Sequence, residues 1–196
     1  MTLDKSDSAR TLAEIYLGES VSIIKEKINV QEPFLVRKYV PADNDGCRAL
    51  WRELTEWHRH IYQDPSIGGA CPEDSFDKHL AKVGPERLWI AFQDSRVVGL
   101  TGLIVKDREA EIEPLLVSAS YRHKGIGKTL VGEVVKEARR LEVRFLSVSP
   151  VARNIEAIQF FYEHGFRNLG HVELFVDFFE HRWKKGPKLF DRQFNF

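Results

Sequence analysis

The residues best equipped for chemistry stand together in Arg122-His123-Lys124-Gly125-Ile126-Gly127-Lys128-Thr129, and the chemistry is the binding of an anion. Gly125 and Gly127 let the backbone turn tightly and approach a ligand without a Cβ in the way. Arg122, Lys124 and Lys128 surround the turn with positive charge. A helix starting at about Ile126 adds unpaired backbone N–H groups and the positive end of its dipole. A pyrophosphate is the natural guest of such a site. The run is neither the six-residue glycine fingerprint of dinucleotide binders nor a P-loop, because Arg122 stands where the first P-loop glycine belongs. Its plain alternative is a strand–loop–helix joint whose glycines serve only the turn.

The elements that must hold this loop can be read on both sides of it. Residues 110–117 form an apolar strand, and residues 126–141 a helix with a stripe of Ile126, Leu130, Val134, Ala138 and Leu141. Upstream, residues 8–29 carry helical spacing, 34–40 are strand-like, and 47–62 place Leu50, Leu54, Trp57 and Ile61 on one helix side. A proline- and glycine-bearing loop covers 63–72, and a short helix 73–82 stops at Gly84-Pro85. Strands 87–93 and 97–105 make a hairpin. Downstream come a strand over 143–149, a helix capped by Asn154 that carries Ile155, Ile158, Phe161 and Tyr162, and a last strand or hairpin over 166–179. This order is too strand-rich for a doubly wound sheet. It predicts an α/β (α+β) fold, a mixed sheet with helices on both faces.

Formal net charge is zero, so no bulk attraction to nucleic acid is expected. The tail alternates Arg182, Lys184, Lys185 and Lys188 with Trp183, Phe190, Phe194 and Phe196; packing on the domain or on a second subunit is the preferred reading over nucleic-acid binding. No apolar run is long enough for a membrane span, and residues 1–10 have no signal-peptide core. Cys47 and Cys71 form no metal-type cluster and read as small, buried or half-buried residues of a cytoplasmic protein; no metal is expected.

Two stretches in this order resemble the GNAT superfamily of N-acetyltransferases over residues 34–179. One is the strand and its continuation Val117-x-x-x-Tyr121-Arg122-x-x-Gly125-Ile126-Gly127; the other is Asn154-x-x-Ala157-x-x-Phe160-Phe161-Tyr162-Glu163-x-Gly165-Phe166. The resemblance implies an acyl-CoA N-acyltransferase fold with a mostly antiparallel sheet. A V-shaped split would lie between two parallel strands, here 110–117 and 143–149. It also implies acetyl-CoA as co-substrate and a primary amine, small molecule or peptide, as acceptor, attacked directly in a ternary complex. Leu116, Val117 and Ser118 would pair with the pantetheine arm. The loop of Arg122, His123, Lys124, Gly125, Ile126, Gly127, Lys128 and Thr129 would take the pyrophosphate, and Asn154 would contact the cofactor. Tyr162 is the expected general acid for the thiolate. Glu113, with Glu111 behind it, is the expected base; Pro114 marks a bulge beside them. The acceptor would be chosen by residues 57–71 and those after Gly170, with Asp64, Glu73 or Asp74 supplying negative charge. The expected organisation is an N-terminal helical extension 1–32, a transferase domain 33–180 and a tail 181–196, with a homodimer through the extensions. A non-catalytic acyl-CoA sensor of the same fold is the alternative.

Overall fold

The computed structural model describes residues 34–178 and 183–196. The helical segment expected at 8–29 lies outside the described residues. Along the chain come β1 (Leu35–Lys38), α1 (Asn44–Tyr62), α2 (Asp74–Val83), β2 (Leu88–Gln93), β3 (Arg96–Lys106), β4 (Glu109–Val117), α3 (Ile126–Arg140), β5 (Phe145–Val148) and α4 (Ile155–Glu163), and then the hairpin β6 (Lys185–Leu189) and β7 (Arg192–Asn195). The first five strands form one sheet in the order β1-β2-β3-β4-β5. All neighbours run antiparallel except β4 and β5, which are parallel.

The sheet is covered on both faces. One face packs Trp89, Leu103, Ala110 and Ile112 against Ile126, Leu130, Val131 and Val134 of α3 and Phe161 of α4. The other packs Leu88, Ile90, Leu100 and Leu116 against Cys47 and Leu50 of α1 and Phe76 of α2. The α3 stripe read from the sequence is the buried one, since side chains three and four apart share a helix face. Burying each Leu, Ile or Val stabilises the fold by about 1.5–3 kcal/mol. Asp94 and Ser95, both at positive φ, close the β2–β3 hairpin with the turn that suits two twisted strands.

Two features of β4 shape the site. First, Thr101 stands opposite Leu115 and Leu103 opposite Ile112, so Glu113 and Pro114 together face the single residue Gly102. That is the bulge expected from Pro114. Second, the parallel ladder runs only from Glu109–Phe145 to Ile112–Val148. Beyond it β4 continues to Val117 without a partner from β5, and the split between the parallel strands opens.

Two readings need correction. The strand or hairpin expected over 166–179 does not form in its described part: 167–178 holds no strand, and Leu174, Phe175, Val176 and Phe178 are exposed. The hairpin forms instead in the tail, where Phe190 and Asp191 take positive φ between β6 and β7. Of the cysteines, Cys47 is buried, and burial pushes its thiol up to about 12, whereas Cys71 is exposed. Among the described residues, no helix is long and apolar enough to cross a membrane.

Candidate active site

The split in the sheet continues into a cleft of about 490 Å³. Leu50, Leu54 and Trp57 of α1 wall one side, and Ala157, Phe160 and Phe161 of α4 the other. Its floor is the end of β4 and its mouth the glycine loop. The walls are apolar because both helices turn toward the sheet the face set by their spacing of three and four.

At the mouth, α3 begins at Ile126 after Gly125 in the left-handed region (φ 84°), and no side chain caps it. Thr129 is the first residue whose N–H bonds back, to Gly125 O at 3.0 Å, so the amides of Ile126, Gly127 and Lys128 face outward from the first turn. The Thr129 hydroxyl donates to the same carbonyl at 3.1 Å. A Cβ on Gly127 would lie 3.2 Å from Phe160 Cζ, so glycine here lets α4 come close. Arg122 donates from Nε to Val117 O at 3.3 Å, and its NH1 is 3.6 Å from Glu156. His123 lies 3.5 Å from the same carboxylate and is largely exposed. Lys124 sits over the Tyr121 ring at 4.9 Å, and Lys128 is exposed. Glu156 therefore occupies Arg122 and His123 on the side where an anion would arrive. Glu156→Gln should remove that competition. An exposed pair is worth about 0.2–1 kcal/mol, so the KM for a CoA thioester should fall by up to about fivefold at low salt, and less at high salt. An unchanged or raised KM would mean that Glu156 is remote from the anion.

On β4 the structure separates residues that the sequence grouped. Ser118 donates its N–H to Val98 O at 2.9 Å. In an antiparallel ladder the residues bonded to one neighbour alternate, so Leu116, opposite Leu100, also turns its backbone groups to β3. Leu115 and Val117 turn theirs to the split. The backbone edge facing the split is thus Leu115 and Val117, not the expected Leu116 to Ser118, with the Val117 carbonyl accepting from Arg122 Nε at 3.3 Å. A reading of side chains alone carries no information on this parity.

Glu113 projects from the bulge toward α2. Its carboxylate lies 3.3 Å from Lys82 Nζ and 3.8 Å from His79 Nδ1. Glu111, on the same side of the strand, accepts from the Ser149 hydroxyl at 2.7 Å across the mouth of the split. His79 belongs to no motif, and sequence reasoning missed it; only its place on the buried face of α2, with Phe76 and Val83, hints at it. Asn154 caps α4 by accepting from Ala157 N at 3.0 Å and also lines the cleft.

Tyr162 is not brought to the cleft. The lining residues of α4 are Asn154, Glu156, Ala157, Phe160, Phe161 and His164. Tyr162 follows Phe161 by 100° of helix, is 57% exposed and lies 5.4 Å from the Arg167 guanidinium. The cleft-facing position beside it is filled by Phe161, which has no proton to give. Tyr162→Phe should leave kcat and KM within about twofold in a steady-state assay; a loss above tenfold would restore the phenol as an acid.

A model of the acetyltransferase (GNAT) family matches residues 49–166, more than half of the chain. The chain belongs to the GNAT acetyltransferase family. A curated relative, spermidine N(1)-acetyltransferase of Thermoplasma acidophilum, is 31% identical over 77 residues, 39% of this chain and 48% of the relative. The chain thus spans about half the length of that relative. Among solved structures, a GNAT acetyltransferase from Staphylococcus aureus MU50 superposes with a TM-score of 0.60 at 17% identity, covering 83% of this chain and 97% of its own. The PaiA N-acetyltransferase of Thermoplasma acidophilum, in complex with coenzyme A, gives 0.58 at 22% identity, covering 68% and 89%. Both likenesses are of fold. For this GNAT chain the mixed sheet, the split beside β4 and the uncapped start of α3 match the sequence expectation.

The acidic residues expected to serve an acceptor are already engaged. Arg52 holds Glu73 and brings its carboxyl down to about 2; Arg48 takes Asp74 and Asp77. Asp64 accepts from the Ser66 amide and hydroxyl at 2.8 and 2.6 Å.

Proposed function

We propose that this GNAT chain transfers the acetyl group of acetyl-CoA to a primary amine by direct attack in a ternary complex. The observation that carries the reading is the continuity of the cleft. The edge of Leu115 and Val117 begins just past the Glu113–Pro114 bulge and leads along the cleft to the uncapped first turn of α3; Glu113 stands beside this lining and not in it. The amides of Ile126, Gly127 and Lys128, with Arg122, Lys124 and Lys128, suit the pyrophosphate. Leu115 and Val117 suit an extended amide-bearing arm laid along them like an added strand. Acetyl-CoA supplies a thioester carbonyl open to attack. Glu113 takes the proton that the amine loses as its C–N bond forms, directly or through a water. The C–S bond breaks, and the thiolate leaves along the cleft. The transferase unit is residues 33–180, extended by the tail hairpin.

The acceptor side gathers where residues 57–71 meet the hairpin. There a cavity of about 730 Å³ is lined by Glu56, Arg59, His60, Arg153, Lys184 and Phe196, among others. Arg59 spends its charge on Glu56 at 2.6 Å and on the carbonyls of Ile67 and Gly69. Arg153, next to Asn154, lies 4.8 Å from the Tyr62 ring and 5.5 Å from that of Trp183, with its buried Nε lacking a hydrogen-bond partner. Arg153 and Lys184 favour an amine that also carries a carboxylate or phosphate over a polyamine, despite the spermidine acetyltransferase among the relatives. Release of CoA should be followed over a panel of polyamines, amino acids, amino-sugar phosphates and peptide N-termini. The expected result is turnover with the anionic amines first, and a loss of that preference in Lys184→Glu. Tight binding of acetyl-CoA with no turnover on any amine would favour the sensor reading.

A further inference from the structure

His79 is buried beneath the β4 bulge, with 6% of its surface exposed. Four elements enclose it. The Trp51 ring of α1 lies 5.0 Å away. Gly102 of β3 lies against it: a Cβ there would be 3.2 Å from His79 Nε2 and would also run into the Glu113 carbonyl oxygen. Glu113 of β4 faces Nδ1 at 3.8 Å, and Lys82 of its own helix faces the other oxygen of that carboxylate at 3.3 Å. Nε2 has no hydrogen-bond partner. Gly102 is required first by the bulge, whose Glu113 carbonyl oxygen a Cβ would strike, and the His79 ring packs against the same spot. A phenylalanine or leucine would fill the space without the cost of an unpartnered buried nitrogen.

We propose that His79 is the positioning residue of Glu113: Lys82 holds the carboxylate at 3.3 Å, and the neutral Nδ1, 3.8 Å from its other oxygen, receives the proton that Glu113 takes from the attacking amine once the two groups close to hydrogen-bond distance. This rests on the reading of Glu113 as the base. The proton moves from the amine nitrogen to the Glu113 carboxylate and on to His79 Nδ1, which restores the carboxylate and leaves an imidazolium to return its proton to solvent after release. The surroundings agree in sign. Burial lowers the affinity of His79 for a proton; the Glu113 carboxylate raises it, Lys82 lowers it and the Glu113 backbone raises it. The ring is therefore neutral and able to accept at neutral pH, and the carboxylate that delivers the proton also favours its arrival.

The test compares the wild type with His79→Asn and His79→Phe on one amine from pH 5 to 9. Taking the wild-type-to-variant ratio of kcat cancels the ionisation of the amine. The ratio should be about tenfold or more above pH 7 and fall toward one as the pH drops and the wild-type ring charges. A ratio that does not change with pH would overturn the proposal and leave His79 a packing residue. Should both variants fail to fold, the His79 ring can be titrated by NMR in the wild type and in Glu113→Gln. Loss of the carboxylate should move its titration to lower pH, and no movement would overturn the coupling. A wild type without turnover defeats the base reading; an active wild type with a flat ratio defeats only the role of His79.

Discussion

Replacing Glu113 with glutamine is expected to lower kcat by about 10² to 10³ and to leave the KM for acetyl-CoA within about twofold. The substitution preserves shape, so the amide can still rest against Lys82, and it removes only the ability to take a proton. The site argues for this residue over its neighbour. Glu111 shares the strand face, but its carboxylate is tied across to the Ser149 hydroxyl of the parallel partner strand at 2.7 Å. Glu113 sits where the bulge turns β4 and the ladder with β5 has just ended, so it borders the opening of the split. Initial rates for both glutamine variants, with acetyl-CoA and amine varied separately, decide the matter. Full turnover in Glu113→Gln would leave deprotonation to water or to the bulk, and a larger loss in Glu111→Gln would reverse the assignment.

Placing aspartate at Gly127 is expected to raise the KM for acetyl-CoA by about 10²-fold or more with little change in melting temperature. The carboxylate would lie at the first turn of α3, where an acidic residue suits the helix dipole, and the fold should tolerate it. In that position it would take amides that the pyrophosphate needs. Losing two hydrogen bonds to a charged group costs roughly 3 kcal/mol, which is about 10²-fold in affinity. A second effect adds to the first. Any Cβ at residue 127 stands 3.2 Å from the tip of the Phe160 ring, so that ring must shift slightly. Gly127→Ala separates the two, since it carries the steric part alone and should cost less than tenfold. Calorimetric titration of acetyl-CoA into both variants reads the difference. Equal affinities for wild type and Gly127→Asp would place the pyrophosphate elsewhere.

Much of this is legible in the order of the residues. The stripe of Ile126, Leu130, Val134 and Ala138 is a matter of 3.6-residue spacing, and all four are buried. Pro114 cannot donate to a ladder, and the bulge lies there. Asn154 before an apolar helix reads as a cap, and it caps. The misses have a common cause. Tyr162 and Phe161 are neighbours, and a one-residue step on a helix turns a side chain by 100°; only the packing of α4 on the sheet shows that Phe161 points in and Tyr162 out. The hairpin moved from 166–179 to the tail because a strand pattern needs a turn or an edge to pair with, and neither is visible in the pattern itself.

The sequence by itself determined the local physics: where helices and strands run, where a proline breaks a ladder, and where glycines and cations make an anion site at a helix start. These depend on neighbours within a few residues. The tertiary structure alone decided what long-range contact sets. It decided that the backbone of Leu115 and Val117, not Leu116 and Ser118, meets the split, because that parity follows from the register with β3. It also placed His79 of α2 under Glu113 of β4, and spent Glu73 and Asp74 on the arginines of α1. Charge in a sequence is a property of residues, but free charge is a property of what they touch.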